Sequence, residues 1–188
     1  MMTNGVKGET TVNKMIETIC ERQSIRRFLD KSVDKKDIRD ILRAAMNAPS
    51  ACSQQIWQFV VIDDKRILKA LSAMHSGISF LAQTPLAVVV CGEPQAAVLD
   101  YFWEDDCAAA TQNILLAAHA LGLGATWSGI NRKASDMVEF VQSTVKIPKA
   151  HIPFSIIAIG YPDEQRRVRD RFAPAKIHHN AWDLQWNE

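Results

Sequence analysis

No charge sign dominates this 188-residue chain: 22 Lys and Arg face 21 Asp and Glu, a net charge of +1. That excludes binding to nucleic acid or an anionic membrane through bulk charge. Basic residues are not gathered into a tail, and no run exceeds two, as in Arg26-Arg27 and Arg166-Arg167. The four cysteines, Cys20, Cys52, Cys91 and Cys107, form no CxxC pair and no metal spacing. Three of them sit in apolar or helical patterns, the expectation for reduced, buried thiols in a cytoplasmic protein. The five histidines offer no ligand pattern, and the adjacent pair His178-His179 is poorly placed to share a metal. The longest apolar run, Pro85 to Cys91, is too short to span a bilayer. The N-terminus lacks a charged start followed by an apolar run, so no signal peptide is expected.

What is present reads as one domain over residues 1–188, large enough for a core. Residues 1–10 are polar and expected to fray. From Thr11 the apolar positions Val12, Met15, Ile16 and Ile19 follow a helical period, ending near Glu21. A second helix is expected from Lys35 to Met46, capped by Asp34, with Ile38, Ile41, Leu42 and Ala45 as its apolar face. Trp57 to Ile62 reads as a strand, Lys65 to Met74 as a helix, and the wholly apolar Leu86 to Cys91 as a buried central strand. Glu104 to Leu121 is an alanine-rich helix closed by Gly122. Ala125 to Trp127 is a short strand, Ala134 to Ser143 a helix, and Phe154 to Ile159 a second buried strand. The tail after Pro162 is polar but carries Trp182 and Trp186. Such a tail needs a surface, either its own core or a partner subunit. Helices mixed with four strands predict an α+β sandwich with a mostly antiparallel or mixed sheet.

Four segments carry candidate chemistry. Arg22-Gln23-Ser24-Ile25-Arg26 combines guanidinium forks with a hydroxyl. If extended, it points Arg22, Ser24 and Arg26 one way, as an anion site would. The alternative is a solvated basic connector. Pro49 to Trp57 begins with small residues that let a backbone approach a flat ligand, with Ser50, Ser53 and Gln55 as hydrogen-bonding groups. It also reads as an ordinary helix-to-strand loop. Gly122-Leu123-Gly124 leads into Trp127-Ser128-Gly129. It follows a helix and precedes a strand, the reverse of a dinucleotide fingerprint. Arg169-Asp170-Arg171, if extended, turns both guanidinium groups to one side, where they could complete a phosphate site begun by Arg22 and Arg26.

Together these blocks resemble the FMN-dependent nitroreductase family over about residues 14–175. The first is similar to that family's Arg-x-Ser-x-Arg/Lys phosphate site, and Pro49-Ser50 through Trp57 to its Pro-Ser-x-x-Asn-x-Gln-Pro-Trp loop. Asp106 to Ala118 with Gly122-Leu123-Gly124 is similar to its long helix and turn. Ile159-Gly160-Tyr161-Pro162 and the later arginines resemble its closing strand and C-terminal phosphate contact. The resemblance implies a three-layer sandwich with about four or five strands, as an interlocked homodimer with FMN at the interface. It implies that Arg22, Gln23, Ser24 and Arg26, with Arg169 and Arg171, hold the phosphate and ribityl end. Pro49, Ser50, Ala51, Ser53 and Gln55 of the other chain would line the flavin ring. Trp127, Ser128 and Gly129 would place backbone donors near its reactive edge. The tail 163–188 would pack on the partner.

The implied activity is ping-pong hydride transfer from NAD(P)H to nitroaromatic, quinone or related acceptors, with no catalytic side chain because the flavin carries the hydride. Ser53 stands where the family has Asn, and Ile56 where it has Pro, so ring contacts are altered and the loop regains an N–H. Those departures leave a flavin-binding sensor or store without turnover as the alternative. A thiol enzyme using Cys52 is a third reading, requiring His75, His119 or His151 to approach. The segments Met74 to Thr84 and Pro94 to Glu104, with Phe102 or Trp103, are candidate lid material.

Overall fold

The computed structural model describes residues 13–186. The expected frayed segment 1–10 and Val12 lie outside the described residues. The elements run α1 (Lys14–Glu21), α2 (Lys35–Met46), β1 (Trp57–Ile62), α3 (Lys65–Ser72), β2 (Leu86–Gly92), α4 (Trp103–Ala120), β3 (Gly124–Gly129), α5 (Ser135–Val145) and β4 (Ile152–Gly160). The strands form one sheet in the order β1-β2-β4-β3, with every neighbouring pair antiparallel.

The uniformly apolar sequences of β2 and β4 follow from their central position. Side chains alternate between faces along a strand. Leu86, Val88 and Val90 therefore enter one core, while Ala87, Val89 and Cys91 enter the other. Ile157 and Ile159 divide from Ile156 and Ala158 in the same way. The first face is covered by α2 and α4 through Ile41, Ala45, Ala110, Ile114 and Ala118. The second is covered by α3, a 3-10 segment (Ser76–Gln83) and α5 through Leu68, Leu71, Ile78, Leu81 and Val141. The result is a three-layer α/β/α sandwich with a core on each side of the sheet. Each fully buried Leu, Ile or Val contributes about 1.5–3 kcal/mol through lost contact with water. The one polar pair between α4 and the sheet, Thr111 Oγ1 and Ser155 Oγ at 3.0 Å, satisfies itself.

Several expectations are corrected. Met15, Ile16 and Ile19 do form one stripe on α1, but they are 64%, 56% and 48% exposed and the helix buries nothing. Asp34 stands at the α2 N-cap without a side-chain cap bond; its carbonyl accepts from Ile38 N at 3.0 Å instead. Asp64, by contrast, caps α3 by accepting from Arg66 N at 2.8 Å. Ser76–Gln83 buries Ile78 and Leu81 in the second core and is a wall, not a lid. Only Cys91 and Cys107 are buried, whereas Cys20 and Cys52 are exposed. Of the two surfaces open to the tail, its own core does not take Trp182. That ring stacks on His178 at 4.4 Å and stays 84% exposed.

The connector after α1 runs beside the β3 edge. Ser24 forms a parallel bridge with Ala125, and Ile25 N donates to Ala125 O at 3.0 Å. Further on, Leu29 N donates to Tyr161 O at 2.9 Å, and Asp163 N to Arg27 O at 3.0 Å. Gly124 makes this approach possible: a Cβ there would lie 2.7 Å from atoms of the Ile25 side chain. The beginning and the end of the chain are thus stitched along one side of the sheet.

Candidate active site

That stitching assembles a basic cleft of 340 Å³ lined by Arg22, Gln23, Ser24, Arg26, Arg166, Arg167, Arg169 and Arg171. The extended connector supplies the first four, and the segment after β4 the rest. Six guanidinium groups therefore face one space. Burial lowers the Arg22 pKa, and the positive charge of Arg171 lowers it further. Both effects raise the energy of the charged form, and both would be relieved by an anion. One carboxylate organises the floor. Glu164 accepts from Arg26 N at 2.6 Å, from Arg27 N at 3.1 Å and from Arg166 Nε at 2.9 Å. Burial alone would push its pKa up, but these donors outweigh it and hold the carboxyl below its ordinary value. Glu164 neutralises part of the cluster from beneath while the other arginines stay available.

An adjoining cleft of 360 Å³ shares Arg22, Gln23 and Arg166 and is floored by Ile25, Leu115 and Leu123. The turn Gly122-Leu123-Gly124 lines it, with Gly122 at φ 75°. Only glycine adopts that left-handed backbone without steric cost.

Pro49, Ser50 and Ala51 belong elsewhere. They line a cleft of 510 Å³ with Cys52, Leu99, Phe102, Asp105, Asp106 and Ala109. This cleft shares no residue with the arginine cleft. Ser53 and Gln55 are exposed beside it. The loop has an unusual backbone: Cys52, Ser53 and Gln55 take φ values of 47°, 54° and 46°. Left-handed conformations cost non-glycine residues about 1–2 kcal/mol each. The loop is held by Ser50 Oγ accepting from Gln55 N at 3.1 Å, and by Asp106 Oδ1 accepting from Ala51 N at 2.8 Å. No histidine lines this cleft, which removes the base that a Cys52 nucleophile needs.

Trp127, Ser128 and Gly129 occupy the end of β3, an edge strand paired on one side to Ile157, Ile156 and Ser155. Among the described residues, no strand covers the other side beyond Ala125. Main-chain groups there are open, and a Cβ on Gly129 would meet nothing within 4 Å. The Trp127 ring leans on Phe154 at 5.7 Å. Nearby, Arg132 donates to both oxygens of Glu104, at 2.7 and 2.6 Å, and lies 4.8 Å from the Phe154 ring.

Arg166, Arg167, Glu164, Gln54 and Asp106 were not among the candidate residues. Arg166-Arg167 was visible as a basic pair, and its distance of two residues from Arg169 was the available signal. Asp106 reads in the sequence as one of three acidic residues in the first turn of an alanine-rich helix, where the helix dipole favours an anion, so no local signal marks it as a contact of the loop.

Known proteins resemble this chain in sequence and fold. The pattern of the Nitroreductase family matches residues 19–161. A "Putative NADH dehydrogenase/NAD(P)H nitroreductase" of Methanothermobacter thermautotrophicus is 38% identical, covering 96% of this chain and 94% of the relative. An FMN-dependent nitroreductase structure from Clostridium difficile superposes with a TM-score of 0.83 at 32% identity, over 89% of this chain and 99% of its own. A "putative nitroreductase in complex with fmn" from Desulfovibrio desulfuricans superposes with a TM-score of 0.80 at 28% identity, over 92% and 99%. The chain belongs to the nitroreductase family and has its three-layer fold.

Proposed function

We propose that this protein is an NAD(P)H-dependent FMN oxidoreductase that works as a cytoplasmic homodimer and reduces nitroaromatic, quinone or related acceptors in a ping-pong cycle. The observation that carries the reading is the convergence of Arg22, Ser24, Arg26, Arg169 and Arg171 on one cleft. A phosphomonoester brings about two negative charges and three strong acceptor oxygens near neutral pH. Guanidinium forks suit those oxygens, and an anion there would lower the cost that burial and Arg171 impose on Arg22. FMN, when bound, supplies the hydride chemistry.

This chain's residues bind and orient. Arg22, Gln23, Ser24 and Arg26, with Arg169 and Arg171, hold the phosphate and ribityl end. The open edge at Trp127, Ser128 and Gly129 offers main-chain donors to the ring. Pro49, Ser50, Ala51, Ser53 and Gln55 form a ring wall; the first three line a separate cleft of the same chain, and Ser53 and Gln55 are exposed beside it. A two-fold dimer resolves that separation, because each chain then lends its loop to the partner's phosphate cleft. Exposed apolar surface supports it: among the described residues, the Met15–Ile19 stripe, Val98 at 75%, Tyr101 at 69% and Trp182 at 84% remain largely open. The end of the tail, with Trp182 84% exposed, would pack on the partner. Among the described residues, no helix is long and apolar enough to cross a membrane.

The visible spectrum of the purified protein, before and after anaerobic addition of NADPH, tests the reading. Flavin bands that bleach on addition, followed by NADPH consumption with menadione or a nitrofuran, are expected. Bands without turnover would favour a flavin sensor or store. A colourless protein whose melting temperature FMN does not raise would end the proposal. Sedimentation tests the dimer, with Ile16→Asp expected to dissociate it.

A further inference from the structure

Asp106 is a carboxylate buried to 3% exposure. Among the described residues it forms no ion pair: no Lys, Arg or His lies within salt-bridge distance. A buried charge without a counter-ion is costly unless hydrogen bonds satisfy it. Asp106 spends its bonds on one target. Oδ1 accepts from Ala51 N at 2.8 Å and Oδ2 accepts from Gln54 Nε2 at 2.6 Å. Its place in the first turn of α4 adds the favourable end of the helix dipole. Gln54 relays the restraint. Its Oε1 accepts from Leu99 N at 3.0 Å, and its Nε2 also reaches Leu99 O at 3.3 Å. Between and beside these anchors sit Cys52, Ser53 and Gln55 in the left-handed region. Nothing in the side chains of Cys, Ser or Gln favours that backbone, so hydrogen bonds hold it, from Ser50 within the loop and from Asp106 beyond it.

The geometry points to Asp106 as a positioning residue, with Gln54 as its relay, that clamps the Pro49–Gln55 loop in the shape that receives the flavin ring. This rests on the proposed FMN function. The clamp also ties the loop to Leu99, so the 94–104 segment and the ring wall are one unit and not a free lid. Catalysis by a bound cofactor depends on orientation, and a wall built on strained backbone holds its shape only while the anchors hold.

Asp106→Asn is the direct test. Its single amide oxygen can serve one of the two donors, and the NH2 group then confronts the other. Gln54→Met removes the relay without adding charge and serves as the second variant. Thr111→Val, which breaks a buried polar pair on the same helix away from the loop, is the control for simple loss of stability. Amide hydrogen exchange over residues 49–56 is measured in the flavin-free proteins, and FMN Kd by fluorescence quenching. Both clamp variants should exchange about tenfold faster or more in that segment and bind FMN about tenfold or more weakly, as expected for a lost hydrogen bond to a charged group. In Thr111→Val, any fall in melting temperature should leave both readouts at wild-type values. Unchanged exchange in the clamp variants would overturn the proposal, as would faster exchange with wild-type FMN affinity. An equal rise in Kd for Thr111→Val would overturn it too, reducing Asp106 to a stability residue. If the wild-type protein binds no FMN, the functional reading falls while the exchange data still decide whether the clamp exists.

Discussion

Replacing Arg22 by Met gives a prediction with opposite signs in two states of one protein. The substitution keeps an aliphatic stem and the main-chain bond from Arg22 N to Thr18 O that closes α1. It removes a guanidinium already disfavoured by burial and by Arg171. Without ligand, the variant should therefore melt at the wild-type temperature or slightly above it. The gain is at most about 1 kcal/mol, the scale of partly exposed charge interactions. With FMN the sign reverses. A hydrogen bond to a charged partner is worth about 1.5–3 kcal/mol, so a loss near the middle of that range weakens Kd about 30-fold. At free FMN of 100 times the wild-type Kd, binding stabilises the wild type by about 2.7 kcal/mol and such a variant by about 0.9. For a domain of this size the deficit of about 1.8 kcal/mol corresponds to roughly 4–7 °C. Differential scanning fluorimetry of both proteins at one concentration, with and without FMN, reads both signs. An equal FMN-induced shift in the two proteins would refute the assignment of the arginine cleft, and a marked loss of stability in the flavin-free variant would refute the electrostatic argument.

Three further outcomes follow from the same geometry. The folded-state pKa of Glu164 lies below its ordinary 4.5, so its stabilising contribution is complete above that value and is lost as pH falls through the depressed folded value. Acid-unfolding curves of wild type and Glu164→Gln should therefore converge once the pH falls below that depressed folded value, with the wild type more stable at neutral pH; parallel curves would contradict this. Gly124→Ala would press a Cβ to 2.7 Å from Ile25 and push the connector off Ala125. Lower stability and weaker FMN binding are expected together, and a wild-type melting curve would show that the contact is not tight. Burial pushes the thiols of Cys91 and Cys107 up to about 12, which leaves almost no thiolate at neutral pH. Both should resist a thiol reagent in the native protein and react fully in urea, as followed by peptide mass spectrometry.

Local patterns were legible where one chain supplies both the element and its cover. The expected bounds of α2 and β1, Lys35–Met46 and Trp57–Ile62, agree with the structure. The apolar run of β2 announced a strand buried on both faces, and it lies at the centre of the sheet. On α1 the periodicity marked the right face but not its fate, because Met15, Ile16 and Ile19 stay exposed among the described residues. Ser76–Gln83 lacks a helical period and read as a lid, yet its two apolar residues anchor it in the core. Among the candidate site residues, the arginine segments signalled themselves by side-chain chemistry. The clamp did not, because the backbone of Cys52, Ser53 and Gln55 is set by Asp106, about fifty residues away. No local propensity encodes that dependence.

The arginine cleft also times its own appearance. Its walls come from residues 22–26 and 166–171, and the bonds that bring them together, Ile25 to Ala125 and Asp163 to Arg27, join positions 100 (125 − 25) and 136 (163 − 27) residues apart. Contacts of such high sequence separation carry the largest loop-closure cost and form late. A chain still emerging from the ribosome, or one cut before residue 166, has two of the six arginines and none of their convergence. On the proposed function, capture of the cofactor's phosphate therefore requires a chain made at least as far as Arg171 with its sheet closed, and the bound cofactor would hold the two walls of the cleft together.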